Sequence, residues 1–216
     1  MATMLSITNP KDKVVIFSPF YENYGADTIL SGAEPIYVPL VPPDFTFSIE
    51  QLENAFKQGA KALILCNPSN PCGKVFTFEE LTAIADVVKK YDAYVVTDEV
   101  YEHIVYAPNK HIYMQALDGM RERTIVCNSL SKTYSITGWR LGYVIANPEI
   151  IDRVKKVHDF LTVGAAAPLM EAATVGLKFD DKYYDELAAH YAHMKEVFVG
   201  GLEKLGLKYT DPQGAY

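Results

Sequence analysis

The stretch Asn128-Ser129-Leu130-Ser131-Lys132-Thr133-Tyr134-Ser135-Ile136-Thr137-Gly138-Trp139-Arg140 gathers an amine, several hydroxyls and a guanidinium within a few residues. An apolar run, Ile125-Val126-Cys127, reads as a strand that delivers it, and Gly142 to Ala146 reads as the strand that leaves. A lysine that serves only solubility belongs on a helix face, whereas one directly after a buried strand stands at a pocket edge. There Ser129, Ser131 and Arg140 could hold a phosphate, with Lys132 as an amine nucleophile beside it. The physical use of such a lysine is to form a Schiff base, which needs the neutral amine and so a desolvated or electropositive setting.

Two other readings of the same residues stay open on this stretch alone. Ser129-Leu130-Ser131-Lys132 satisfies the S-x-x-K of penicillin-interactive serine hydrolases, although the companion S-D-N and K-T-G stretches do not occur. A surface loop with a solvated lysine is the other. The choice rests on what the rest of the chain brings to Lys132.

Val14 to Phe17, Pro35 to Val38, Ala62 to Cys66 and Tyr94 to Thr97 are short apolar runs that predict strands. Between them lie capped helical patterns. Asn23 to Ser31 reads as a helix, as does Met1 to Ile7, which Asn9-Pro10 ends. Ser48 with Gln51, and Thr77 with Glu80, have capping-box spacing. Asn147-Pro148 opens a helix with Ile150, Val154, Val157 and Leu161 on one stripe. Ala165 to Lys178 reads as helical, Asp180-Asp181 caps a long amphipathic helix reaching Gly206, and Leu207 to Tyr209 reads as a short strand.

Strands alternating with helices predict an α/β fold, a mostly parallel sheet covered by helices on both faces. Such sheets bind ligands beyond the carboxyl ends of their strands. Tyr21, Asn70, Asp98 with Tyr101, and Ser129 with Lys132 all fall at such ends, so distant stretches converge on one crevice. A cofactor with a phosphate, an aldehyde, a ring nitrogen and a phenolic oxygen would use each of them. Lys132 would hold the aldehyde, and Asp98 would pair with the ring nitrogen. Tyr101, one helical turn after Asp98, and Asn70 would donate to the phenolic oxygen. Tyr21 would stack on the ring, while Arg140 and Ser129 would bind phosphate. Each residue alone has a plainer explanation: a helix cap, a turn asparagine, a core tyrosine.

The chain has 216 residues and a formal charge of -7. The isoelectric point of about 5.2 argues against a nucleic-acid partner. No apolar run reaches membrane-spanning length. Cys66, Cys72 and Cys127 are odd in number and lack C-x-x-C spacing, as expected for reduced thiols in a cytoplasmic protein. His190 and His193 have i, i+3 spacing but read as surface residues, so no metal site is expected. His103, His111 and His158 have no neighbours in sequence that suggest catalysis.

Taken together, Asn67-Pro68-Ser69-Asn70-Pro71-Cys72-Gly73, Asp98-Glu99-Val100-Tyr101, Ser129 to Lys132 and Gly138-Trp139-Arg140 resemble the class I/II aminotransferases of pyridoxal-phosphate fold type I. Pro19-Phe20-Tyr21 and Pro212 to Tyr216 extend the resemblance over essentially the whole chain. It implies pyridoxal 5'-phosphate as cofactor, an amino acid and a 2-oxo acid as substrates, and a homodimer. It also implies Lys132 as the Schiff-base lysine, Asp98 as pyridine partner, Tyr101 and Asn70 at the phenolic oxygen, Ser129 and Arg140 at the phosphate, and Tyr21 on the ring. Cys72 departs from a position that is often threonine. The family's Gly-Ser/Ala-Thr phosphate loop, the strand before it and the substrate-carboxylate arginine are not in this sequence. The resemblance therefore implies a chain truncated at both ends. Residues 1–178 would be most of a cofactor-binding large domain and 179–216 the start of a small C-terminal domain. It leaves open a fragment that binds cofactor only in part, and lyase chemistry within the same fold. Pro19 to Tyr24 is compatible with aspartate, aromatic or diaminopimelate substrates alike.

Overall fold

Strands that are covered on both faces need apolar side chains at every position, and the central strands of this protein have them. A computed structural model describes all 216 residues and contains one six-stranded sheet in the order β2-β1-β3-β4-β5-β6. The strands are β1 (Lys13–Ser18), β2 (Glu34–Pro39), β3 (Ala60–Cys66), β4 (Tyr94–Asp98), β5 (Thr124–Ser129) and β6 (Gly142–Ile145). β1 to β5 run parallel, and β6 returns antiparallel to β5. β2 lies at one edge, where Pro35 and Pro39 cost no interior ladder bonds.

The period of two along each strand divides the core into two layers. Val14 and Ile16 of β1, Ala62 and Ile64 of β3, and Ile125 of β5 face α1 (Ala2–Ile7) and α6 (Pro148–Thr162), which supply Met4, Ile7, Ile150 and Val154. Val15, Phe17, Leu63, Leu65 and Val95 face the other way. They pack on Leu52, Ala55 and Phe56 of α3 (Ile49–Lys57) and on Leu81, Ile84, Ala85 and Val88 of α4 (Phe78–Lys90). Helices on both faces thus cover the sheet, as the sequence predicts.

The helix starts follow the predicted caps. Thr77 and Glu80 form a full capping box on α4, while at α3 the Ser48 side chain accepts from the Gln51 amide. Asn147 accepts from the Ile150 amide at 3.0 Å, with Pro148 in the first turn of α6. α2 (Asn23–Leu30), α5 (Leu130–Thr133), α7 (Ala167–Gly176) and α8 (Asp181–Lys204) complete the helices.

Three expectations need correction. Leu207 to Tyr209 is not a strand; it is exposed, and its hydrogen bonds turn back on α8, from the Leu207 amide to the Leu202 carbonyl and from the Tyr209 hydroxyl to Glu203. Asp180 occupies the N-cap of α8, but its side chain makes no capping hydrogen bond. Tyr101 stands in consecutive tight turns, in which Glu102 N–H donates to the Glu99 carbonyl and Ile104 N–H to that of Tyr101, and not in a helix.

The C-terminal segment straps down the loop after β3. The amides of Gln213 and Gly214 both donate to the Gly73 carbonyl, at 2.8 and 3.0 Å, and the Ala215 amide donates to the Ile104 carbonyl at 2.9 Å. The Gln213 side-chain oxygen accepts from the Val75 amide at 2.9 Å. Gly214 is needed at the crossing point. A Cβ there would lie 2.9 Å from the Ile104 carbonyl oxygen, from Pro68 Cβ and from Val75 Cγ2. Gly214→Ala is expected to lower stability by about 1–3 kcal/mol through this overpacking. Chemical denaturation measures it, and an unchanged midpoint would show that the strap yields without cost.

Candidate active site

The parallel strands all point their carboxyl ends to one side, and the loops that leave them enclose a cavity of about 430 Å³. That volume suits a small-molecule site. Tyr21, Asn70, Asp98, Tyr101, Ser129, Lys132 and Arg140 all line it, so every residue singled out from the sequence is in one place.

Asp98 ends β4 at the floor of the cavity. Its Oδ2 accepts from the Tyr24 hydroxyl at 2.7 Å and its Oδ1 from the Val100 amide at 3.2 Å. Burial pushes the Asp98 carboxyl above the ordinary aspartate range, against the pull of the Tyr24 and Val100 hydrogen bonds. The Tyr24 phenol is pushed far up, first by burial and then by the negative charge of its neighbours, so it is a donor at any physiological pH. Each carboxylate oxygen keeps a lone pair for one more partner.

The loop from Asn67 to Gly73 presents Asn70. The Asn67 amide donates to the Asp98 carbonyl at 3.0 Å, and the Asn67 side-chain oxygen accepts from the Phe76 amide at 3.1 Å. Gly73 turns the chain with φ of +67°. Asn70 Nδ2 then lies 3.5 Å from the Tyr101 hydroxyl, so the two donors expected at one phenolic oxygen do converge. Burial, then the hydrogen bond with Tyr216, pushes the Tyr101 phenol up as well. Its ring meets that of Tyr216 edge-on, with centroids 5.0 Å apart.

Lys132 sits in the single turn of α5, directly after β5. Its Nζ is 4.8 Å from the Tyr216 ring centroid and 6.0 Å from that of Tyr101, with no carboxylate paired to it. Ser129 caps this turn. Its hydroxyl accepts from the Ser131 amide at 3.0 Å and lies 2.6 Å from the Ser131 hydroxyl and 3.2 Å from the Leu141 carbonyl. These partners leave Ser129 without a bond to Lys132, the opposite of what an S-x-x-K nucleophile needs. Arg140 adopts the left-handed conformation, with φ of 56°. Its Nη1 donates to the Thr137 carbonyl at 3.0 Å, which leaves the rest of the guanidinium fork free.

Sequence reasoning missed Tyr24, Asn128 and Tyr216 as cavity residues. Tyr24 has the helical spacing of a core tyrosine, and only the fold sets it against Asp98. His111, which has no companion in sequence, meets the buried Glu99 at 3.3 Å. His190 and His193 are exposed and join no cluster of possible metal ligands. The thiols of Cys66 and Cys127 are free, and burial pushes both up, that of Cys127 to about 11. No helix is long and apolar enough to cross a membrane.

The whole chain, residues 1–216, matches the family described as aminotransferase class I and II. Among curated relatives, human kynurenine–oxoglutarate transaminase 3 is 36% identical over 231 residues, which cover 99% of this chain and 51% of the relative. Two solved structures superpose over 100% of this chain. N-succinyldiaminopimelate aminotransferase from Mycobacterium tuberculosis has a TM-score of 0.96 at 32% identity, with 56% of its own chain covered. Aromatic aminotransferase from Pyrococcus horikoshii has a TM-score of 0.93 at 34% identity, with 59% covered. The chain spans about half the length of the curated relatives it matches. With the predicted fold and motifs assembled around one cavity, the chain belongs to the class I and II aminotransferases.

Proposed function

We propose that the cavity is a pyridoxal 5'-phosphate site, and that the protein moves an amino group between an amino acid and a 2-oxo acid. The observation that supports this best is the spatial order of the lining groups. A half-buried carboxylate stands at one place, an amide and a phenol 3.5 Å apart at another, and an unpaired lysine lies beyond them with hydroxyls and a guanidinium nearby. That donor set fits the cofactor group by group.

Asp98 would accept a hydrogen bond from the protonated ring nitrogen, with Tyr24 fixing the carboxylate. Asn70 and Tyr101 would donate to the phenolic oxygen, and Tyr21 would cover a ring face. Ser129 and Arg140 would bind the phosphate, the arginine by charge-assisted bonds. The bound cofactor supplies an electron sink for the bonds at the substrate Cα. Lys132 Nζ would anchor it and, once displaced by the substrate amine, would act as the general acid/base that moves the Cα proton.

Residues 1–178 would form the cofactor-binding unit and 179–216 the beginning of a smaller one. In support, α8 buries no residue fully and reaches the body through Tyr183, which donates to the Thr133 carbonyl, and Tyr184, 2.8 Å from the Tyr134 hydroxyl. A homodimer and a cytoplasmic setting complete the proposal. The exposed Phe160 and Val163 support the first, and three free thiols the second.

Borohydride reduction in the presence of pyridoxal 5'-phosphate should fix the cofactor on Lys132, as read by peptide mass mapping. Lys132→Ala should lose that label and about 100-fold or more of transamination. Labelling scattered over surface lysines, or undiminished turnover by the variant, would overturn the proposal.

A second prediction follows from the raised pKa of Asp98. The folded protein holds more protons than the unfolded one between the ordinary aspartate value and the raised one. Stability is therefore greatest below that window and falls as pH rises through it. Asp98→Asn should remove this fall, leaving the cofactor-free protein at least as stable at neutral pH. It should also weaken cofactor binding about 10- to 100-fold, the worth of one charge-assisted hydrogen bond. Thermal melts across pH and a cofactor titration test the two halves separately.

A further inference from the structure

Glu102 is a carboxylate without a lysine or arginine partner. Neutral donors satisfy it instead: Asn128 Nδ2 reaches Oε1 at 2.6 Å and the Tyr113 hydroxyl reaches Oε2 at 2.7 Å. Two histidines are the cationic candidates nearby: His103, 3.7 Å from Oε1, whose ring burial makes harder to protonate, and His111, whose ring reaches within 4.8 Å of the Glu102 carboxylate while lying 3.3 Å from Glu99. The side chain of Glu102 is only 12% exposed.

What Glu102 touches gives it significance. Asn128 lines the cavity, and its side-chain oxygen accepts from the Ser129 amide at 2.7 Å. One asparagine therefore grips Glu102 with its amide nitrogen and the start of the Lys132 turn with its oxygen. Glu102 itself belongs to the turn that carries Asp98 and Tyr101. The β4–β5 ladder ends at Asp98 opposite Cys127, with one further bond from the Glu99 amide to the Cys127 carbonyl. Beyond that point the two chains diverge, and the Glu102–Asn128 bond is the side-chain hydrogen bond that crosses the gap.

We propose that Glu102 and Asn128 are a positioning pair that sets the spacing between the turn carrying Asp98 and Tyr101 and the turn carrying Ser129 and Lys132. The inference rests on the cofactor reading of the cavity. One ligand must be gripped by both turns at once, so a change in their separation misplaces the amine relative to the ring contacts. At 2.6 Å between an amide donor and a carboxylate oxygen, the bridge is short and directional. Glu99 and His111, 3.3 Å apart, pack beside Glu102 within 4.8 Å of its carboxylate and brace the same turn.

The test is a double-mutant cycle in the cofactor-loaded protein, with Glu102→Ala, Asn128→Ala and the pair combined, plus Glu102→Gln as conservative variant. Each alanine variant should lose about 10- to 100-fold in kcat and in cofactor retention, the cost of an ångström-scale misplacement, with the amino-acid KM little changed. The combined variant should be no worse than the weaker single one, since both remove the same bridge. Glu102→Gln keeps an acceptor for Asn128 and should recover most of the loss. A merely structural role would lower the melting temperature without this split between kcat and KM and without rescue. Such a result overturns the inference, as does full additivity of the two alanine variants. If Glu102→Ala fails to fold, Asn128→Ala and Glu102→Gln still decide it. Borohydride labelling of the parent keeps the two readings apart. A labelled Lys132 with unaffected variants removes the pair alone, whereas an unlabelled Lys132 removes the cofactor reading and the pair with it.

Discussion

A carboxylate at the end of a central parallel strand is the constraint around which this protein is arranged. Asp98 is withdrawn from water at the floor of the cavity, where two opposing effects act on its carboxyl. Burial works against ionisation, and the Tyr24 hydroxyl and the Val100 amide work for it. Those two donors come from α2 and from the turn after β4, so the electrostatics of one residue fix how a helix and a turn must sit. The loop after β3 is tied to the same strand end, because the Asn67 amide donates to the Asp98 carbonyl.

The parallel sheet makes this economical in sequence. Every right-handed crossover brings the chain back to the same side, so each strand end delivers one loop to a shared rim. β1 delivers Tyr21, β3 delivers Asn70, β4 delivers Asp98 and Tyr101, and β5 delivers Ser129 and Lys132. The antiparallel return of β6 then places Arg140, just before it, over the same rim. The C-terminal strap closes on this arrangement through Gly73 and Gly214, which brings the Tyr216 ring over Lys132.

Phenols dominate the cavity chemistry. Tyr21, Tyr24, Tyr101 and Tyr216 present flat apolar faces with a single donor each, a combination suited to an aromatic ligand that carries polar substituents. Burial makes the phenols of Tyr24 and Tyr101 weaker acids, which keeps both as hydrogen-bond donors instead of phenolates. The one amine among them lies close to the Tyr101 and Tyr216 rings and is paired with no carboxylate.

Much of this was legible without coordinates. Apolar runs marked the central strands, Thr77 with Glu80 and Asn147 with Pro148 marked helix starts, and the loops after the strands named the cavity residues. These are local signals, set by backbone sterics and by side chains within a turn of one another, so the amino-acid order alone determines them. Leu207 to Tyr209 shows the limit: its pattern suits a strand, but a strand exists only where a neighbour offers a ladder. The Tyr24–Asp98, Glu102–Asn128 and Glu99–His111 contacts were not legible, nor was the need for Gly214. Each joins residues separated by at least a full turn, and often by whole strands and helices, so its existence depends on how the crossovers pack. Sequence determined which groups the strand ends would carry. Only the tertiary structure decided which of them meet, because a hydrogen bond is fixed by tenths of an ångström and the order of residues along a chain does not specify distance through space.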